Sequence, residues 1–241
     1  SIADIMADFS SRGPNTTFDV LKPDLGAPGM EIYAAFADGT ITEDVELAEY
    51  AFLQGTSMSS PHAAGSAALL KALHSDWSSA EIRSAMMLTA YEDVLDTDKV
   101  TPADPFDIGA GRIQLEKAGL VGLVMEEEYL SIEEGDDVKA LNTPSLYNST
   151  CVEECTWTRT FTSVADWPAT YTATAPAWVT VEPAVFTIAP DATQKITITA
   201  DVSDLGFGDW EFGSIAFDTT DTFQNMDPIS DVHMPLAVQR S

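Results

Sequence analysis

The densest chemistry in the sequence lies in Gly55-Thr56-Ser57-Met58-Ser59-Ser60-Pro61-His62. A Gly-Thr turn leads here into a Ser that opens a long apolar helix, predicted over residues 57–73. A helix N-terminus presents N–H groups without intrahelical acceptors and the positive end of the macrodipole. A Ser placed there can attack a carbonyl carbon, and its own N–H can hold the oxyanion that forms. The structural alternative is that Ser57 is an N-cap, a role Ser often fills.

A nucleophilic Ser needs a base. His62 is the nearest imidazole in sequence. Five residues turn a helix by about 500°, leaving His62 about 140° from Ser57 and about 7.5 Å along the axis. It cannot reach the Ser57 hydroxyl from an unbroken helix. His62 is therefore expected to be structural, as are His74 in an interhelix turn and His233 in a strand-rich region.

Other reactive groups are sparser. Cys151 and Cys155 fit either a small-loop disulfide or half of a metal site, and no nearby His or further Cys completes four ligands. Asp93, Asp96 and Asp98 alternate but match no complete calcium-loop motif. Asn15-Thr16-Thr17 and Asn148-Ser149-Thr150 are glycosylation sequons.

The elements that must carry these groups change character along the chain. Up to about residue 125, turns alternate with Ala-, Leu- and Met-rich stretches. The helix at 57–73 contains Ala63-Ala64-Gly65-Ser66-Ala67-Ala68, which predicts a buried helix packed close to neighbouring backbone. A second helix is expected over 79–90, with Ser78 and Glu81 forming a capping box and Ile82, Ala85, Met86 and Thr89 on one face. Residues 22–29 read as a short strand ending in a tight turn. Acidic runs at 126–128 and 133–137 mark a boundary, giving segments 1–125 and 126–241. The second segment reads as about seven short alternating strands, which suits a two-sheet sandwich able to fold on its own. Its expected core is Trp157, Phe161, Tyr171, Val181, Phe186, Ile196, Ile198, Phe212 and Phe217, with Trp178 and Trp210 as alternatives for an interface.

Composition narrows the partners. The chain has 241 residues, with 11 Lys plus Arg against 39 Asp plus Glu and a formal charge of −28. That field repels a phosphate backbone, so no nucleic-acid partner is expected. No run of about 18 apolar residues is present, so no membrane-spanning helix is expected. The charge suits a saline exterior or an acidic secreted protein. The chain opens on Ser1, without an initiator Met or a signal-type apolar stretch, and is expected to be processed or partial.

Residues 55–62 strongly resemble the nucleophile block of the subtilases, the subtilisin-like serine peptidases. So do Phe9-Ser10-Ser11-Arg12-Gly13-Pro14-Asn15 and residues 21–29, 69–71, 76–78, 81–90 and 109–112. Residues 141–145, 158–160 and 181–184 are similar to the fibronectin type III-like sandwich that follows the catalytic domain in larger subtilases of plants and bacteria. The resemblance implies an α/β subtilisin-like fold over 1–125, present as the C-terminal portion of a mostly parallel sheet with helices. An all-β fibronectin type III-like sandwich is implied over 126–241.

By the same resemblance Ser57 is the catalytic Ser, and Leu53 and Gln54 border the leaving-group side of the cleft. The family's Asp, His and oxyanion Asn find no match in the 56 residues before Ser57, so they are expected in a missing N-terminal part of the same enzyme. The implied parent is a secreted, extracellular endopeptidase acting on polypeptide substrates, with the 241-residue chain inactive alone. No cofactor is expected in this chain; calcium is a possibility for the parent. The rival readings are a non-catalytic module whose sandwich serves stability or contacts, and a pseudoenzyme.

Overall fold

The computed structural model describes residues 4–15, 17–36, 50–126, 137–224 and 226–241. Most of both acidic boundary runs, Glu127, Glu128 and residues 133–136, lies outside the described residues.

In the first segment β1 (Ile32–Ala35) and β2 (Tyr50–Leu53) form an antiparallel ribbon with Ile32 opposite Leu53. The helix α1 (Thr56–Leu73) follows, capped by Gly55 rather than by Ser57. Pro61 lies inside α1, removing the N–H that would bond the Ser57 carbonyl. The expectation of a buried small-residue helix is not met among the described residues. Leu70 is buried, but Leu69 and Leu73 are 62% and 65% exposed. Residues 22–29 are extended but form no regular strand; Gly26 makes a single parallel bridge to Arg112.

The second helix, α2 (Ser79–Leu88), shows the expected capping box: Glu81 N–H donates to Ser78 Oγ and Ser78 N–H donates to the Glu81 carboxylate. It stops two residues before the expected end, where Thr89 Oγ1 donates to the Ala85 carbonyl. Ala80, Ile82 and residues 84–88 are buried. α2 is apolar around much of its circumference because it is covered on two sides, by α1 and α4 (Leu115–Gly119) and by the strands that follow. Between them, the short α3 (Pro105–Ile108) is capped by Asp104, whose side chain accepts from Phe106 and Asp107 N–H groups. Burial raises the Asp104 pKa.

The remaining strands form a sandwich. One sheet has the order β4 (Leu146–Cys151), β11 (Val232–Arg240), β10 (Trp210–Asp218), β6 (Ala169–Thr174), β8 (Val185–Ile188). The other runs β3 (Leu123–Val124), β5 (Glu154–Ser163), β9 (Thr193–Asp201), β7 (Val179–Glu182). All pairings are antiparallel except β4 with β11. Strand β5 alternates exposed and buried positions, as a strand with one wet face must.

Eight of the nine expected core residues are buried; Phe212 is the exception. Phe212 and Trp210 leave the sandwich core and pack on Phe106 of α3, with centroids 5.0 and 4.8 Å away. Strand β11 is buried from Val232 through Val238 with no alternation, because both faces are covered. Pro235 lies in this interior strand opposite Ser214 of β10, one residue before the β4 ladder begins at Leu236.

One continuous apolar cluster runs from Leu70, Trp77 and Ile82 through Trp157, Phe161 and Ile196. β3, from before residue 125, pairs with β5. The sandwich sheet thus extends past its expected start and shares its core with α2. Residues 139–145, which lead into β4, are held by Arg159, buried on β5 and donating to the carbonyls of Lys139, Thr143 and Ser145. Cys151 and Cys155 form a disulfide closing the β4–β5 turn, which settles the alternatives for this pair.

Candidate active site

Ser57 is the second residue of α1 and is exposed. As a first-turn residue its N–H has no intrahelical acceptor. The turn before it depends on Gly55, at φ +148°, in a region that disfavours side chains. Gly55 N–H donates to the Gly29 carbonyl at 2.9 Å, and the Gly55 carbonyl accepts from Met58 N–H at 2.9 Å. A Cβ on Gly29 would collide with Ser59 Oγ and lie 2.9 Å from the Gly55 carbonyl. Gly29 therefore admits the Gly55 turn by lacking a side chain. Sequence reading saw Pro28-Gly29 only as a turn, because this contact spans 26 residues of chain.

The segment carrying Gly29 is braced from below. Gly26 N–H donates to the Gly111 carbonyl at 2.8 Å, and Ile113 N–H to the Gly26 carbonyl at 3.0 Å. The Ser-Ser-Arg-Gly-Pro run is tied to the same base. Arg12 pairs with Asp96 and Asp107, and Gly13 N–H donates to the Phe106 carbonyl at 2.9 Å. The hydrogen bond from Arg12, with that from Thr97 N–H, lowers the Asp96 pKa; in turn the Asp96 bond raises that of Arg12.

No described histidine bonds to Ser57. His62 Nδ1 donates to the Met58 carbonyl at 2.7 Å, one turn back along α1. His74 stacks on Trp77 at 3.8 Å and donates through Nε2 to the Gly119 carbonyl. His233 Nε2 donates to the Ala110 carbonyl at 2.8 Å. All three serve packing or backbone. Leu53 ends β2 and Gln54 links it to Gly55, beside an exposed aromatic surface where Tyr33 meets Tyr50 and Phe52 at 5.5 and 4.8 Å.

The alternating carboxylates do not fit calcium. Asp96 is taken by Arg12 and Thr97 N–H, and Asp98 accepts from Thr101 Oγ1 and from the N–H groups of Val100 and Thr101. These bonds hold the Asp98 pKa down. Among the described residues no group of three or more His, Cys, Asp or Glu is arranged to hold a metal ion.

Among the described residues, Ser57 thus stands exposed in the first turn of α1 with no histidine bonded to it. The Subtilase family model matches residues 2–111, and a Fibronectin type-III domain model matches residues 140–238. Subtilisin-like protease SBT1.7 of Arabidopsis thaliana is 36% identical over 258 aligned positions, covering 88% of this chain and 34% of the relative. Subtilisin-like protease SBT3.8 of the same plant is 33% identical, covering 97% of this chain and 34% of the relative. SBT3.7 reaches 45% identity over 136 positions, 52% of this chain and 17% of the relative. The chain spans about a third of the length of the relatives that align along most of it.

Proposed function

Because the chain belongs to the subtilase family over residues 2–111 and carries a fibronectin type-III domain over 140–238, we propose that Ser57 is the acyl-forming nucleophile of a secreted serine endopeptidase. The observation that carries this reading is the placement of Ser57: exposed, at the N-terminus of α1, on a turn held by Gly55 and Gly29. Ser57 Oγ attacks the scissile carbonyl of a polypeptide and gives its proton to a His outside these 241 residues. The oxyanion takes a hydrogen bond from Ser57 N–H and another from an Asn outside the chain. The peptide C–N bond breaks, the His protonates the leaving amine, and water hydrolyses the acyl ester.

In this reading residues 1–125 complete a catalytic domain begun by preceding chain, and residues 126–241 form the domain that follows it. The exposed apolar positions of α1, Leu69 and Leu73, support a missing covering layer. The Cys151–Cys155 disulfide supports an oxidising exterior. No described helix is long and apolar enough to cross a membrane.

The test is to express the polypeptide together with its upstream coding sequence and label it with a fluorophosphonate. The expected result is a single adduct on Ser57 and peptide hydrolysis, both lost in Ser57→Ala, while the 241-residue chain alone hydrolyses nothing. Hydrolysis that survives Ser57→Ala, or an adduct elsewhere, overturns the reading. An upstream sequence without an Asp block, a His block and an Asn would leave the pseudoenzyme reading instead.

A further inference from the structure

We propose that the groove between residues 14–15 and 17–19 on one side and the sandwich on the other binds a neutral saccharide, at a site separate from Ser57. The groove has a volume of about 400 Å³, within the ~300–1,000 Å³ of small-molecule sites. Asn15 and Phe18 line it from the first segment; Tyr147, Trp210 and Gln239 line it from the sandwich.

The aromatic walls are held before any ligand arrives. Trp210 is braced edge-to-face by Phe106 at 4.8 Å and flanked by Tyr147 at 5.4 Å. Little protein need be ordered when such a site fills. Phe18 is 45% exposed at the rim.

The polar groups are of both kinds. The Tyr147 hydroxyl has no partner among the described residues. Burial, and then the charge of Asp19, push its pKa up to about 12, so at neutral pH it is an O–H donor. Asn15 uses Oδ1 to accept from Thr17 N–H at 3.0 Å, leaving its amide N–H groups to donate. Gln239 uses Nε2 to donate to the Gly208 carbonyl at 2.8 Å, leaving its amide oxygen to accept. The groove's carboxylate, Asp19, is already matched by Lys139 at 2.9 Å and Ser149 Oγ at 2.6 Å.

The exposed Phe18 ring beside Trp210, the mixed donors and acceptors, and a carboxylate already paired with Lys139 match a pyranose. Its C–H face is apolar, and each of its hydroxyls both donates and accepts. A Pro-rich peptide also suits aromatic grooves, but proline lacks an N–H, leaving the Gln239 oxygen unmatched. The formal charge of −28 disfavours an acidic sugar.

The experiment uses the 241-residue chain made in a bacterial host, so that Asn15 carries no glycan. Cellohexaose, xylohexaose and mannohexaose are titrated by calorimetry and by NMR of the Trp indole N–H signals. At least one sugar is expected to bind saturably and shift the Trp210 signal. Phe18→Ala and Gln239→Ala, which remove rim groups, should each weaken binding about tenfold, Phe18→Ala with its thermal midpoint unchanged; Trp178→Ala, away from the groove, should bind as the parent does. No saturable binding at millimolar sugar overturns the proposal. So does unchanged affinity in both rim variants, or tighter binding of oligogalacturonate or a polyproline peptide.

Discussion

Phe106 of α3 and Trp210 of β10 meet edge-to-face with ring centroids 4.8 Å apart. Phe106 also accepts the Gly13 N–H through its carbonyl, so one residue joins the sandwich to the Arg12-Gly13-Pro14 run. The two segments are thus cores in contact rather than beads on a linker.

Phe106→Ala is expected to destabilise the chain by about 3 kcal/mol, the lower range for emptying a buried Phe site. Urea unfolding measures it. Because the apolar cluster is continuous across the segments, fluorescence and far-UV circular dichroism should still report one coincident transition. Two separated transitions would show that the segments unfold independently.

Gly29→Ala should cost about 1–3 kcal/mol through overpacking against Ser59 and the Gly55 carbonyl. The perturbation should be local, with amide shifts concentrated at residues 54–60 and 26–30. A variant as stable as the parent, with those amides unmoved, contradicts the close approach.

Tyr147 should make the fold sensitive to alkali. Its folded pKa is raised to about 12, above an unfolded value near 10. The folded state therefore binds the phenolic proton more tightly, and that stability is present below pH ~10 and lost as pH rises toward ~12. Tyr147→Phe should flatten this part of the curve in a pH series of urea midpoints. An unchanged slope in the variant would assign the loss to other groups.

Asp96 acts at the opposite end. Its folded pKa is lowered, chiefly by the Arg12 hydrogen bond, from the usual 3.8. Its contribution is present above pH ~4 and disappears as pH falls through the lowered value. The group is exposed, so the effect is small and reduced by salt. Asp96→Asn should remove a shallow acid-side slope, and 1 M salt should shrink the same slope in the parent.

Local signals determined much of this protein. The capping box at Ser78 and Glu81 needs only four residues, and it stands as expected. Strand β5 carries its own alternation, so Trp157 and Phe161 were legible as core. The run 55–62 is contiguous, so the start of a helix could be read there without a fold, and a helix does start there.

Contacts between distant segments required the tertiary structure. The N-cap of α1 is Gly55, not Ser57, because Gly29 approaches from 26 residues away and fixes the turn. Phe212 alternates as a core residue should, yet it packs on Phe106, since a strand has two faces and periodicity does not say what covers the second. β11 has no alternation to read because both of its faces are buried, a fact set by α2 and α3 rather than by β11 itself. The small residues of α1 predicted close packing, but a helix is buried only by what surrounds it, and among the described residues much of that covering is absent.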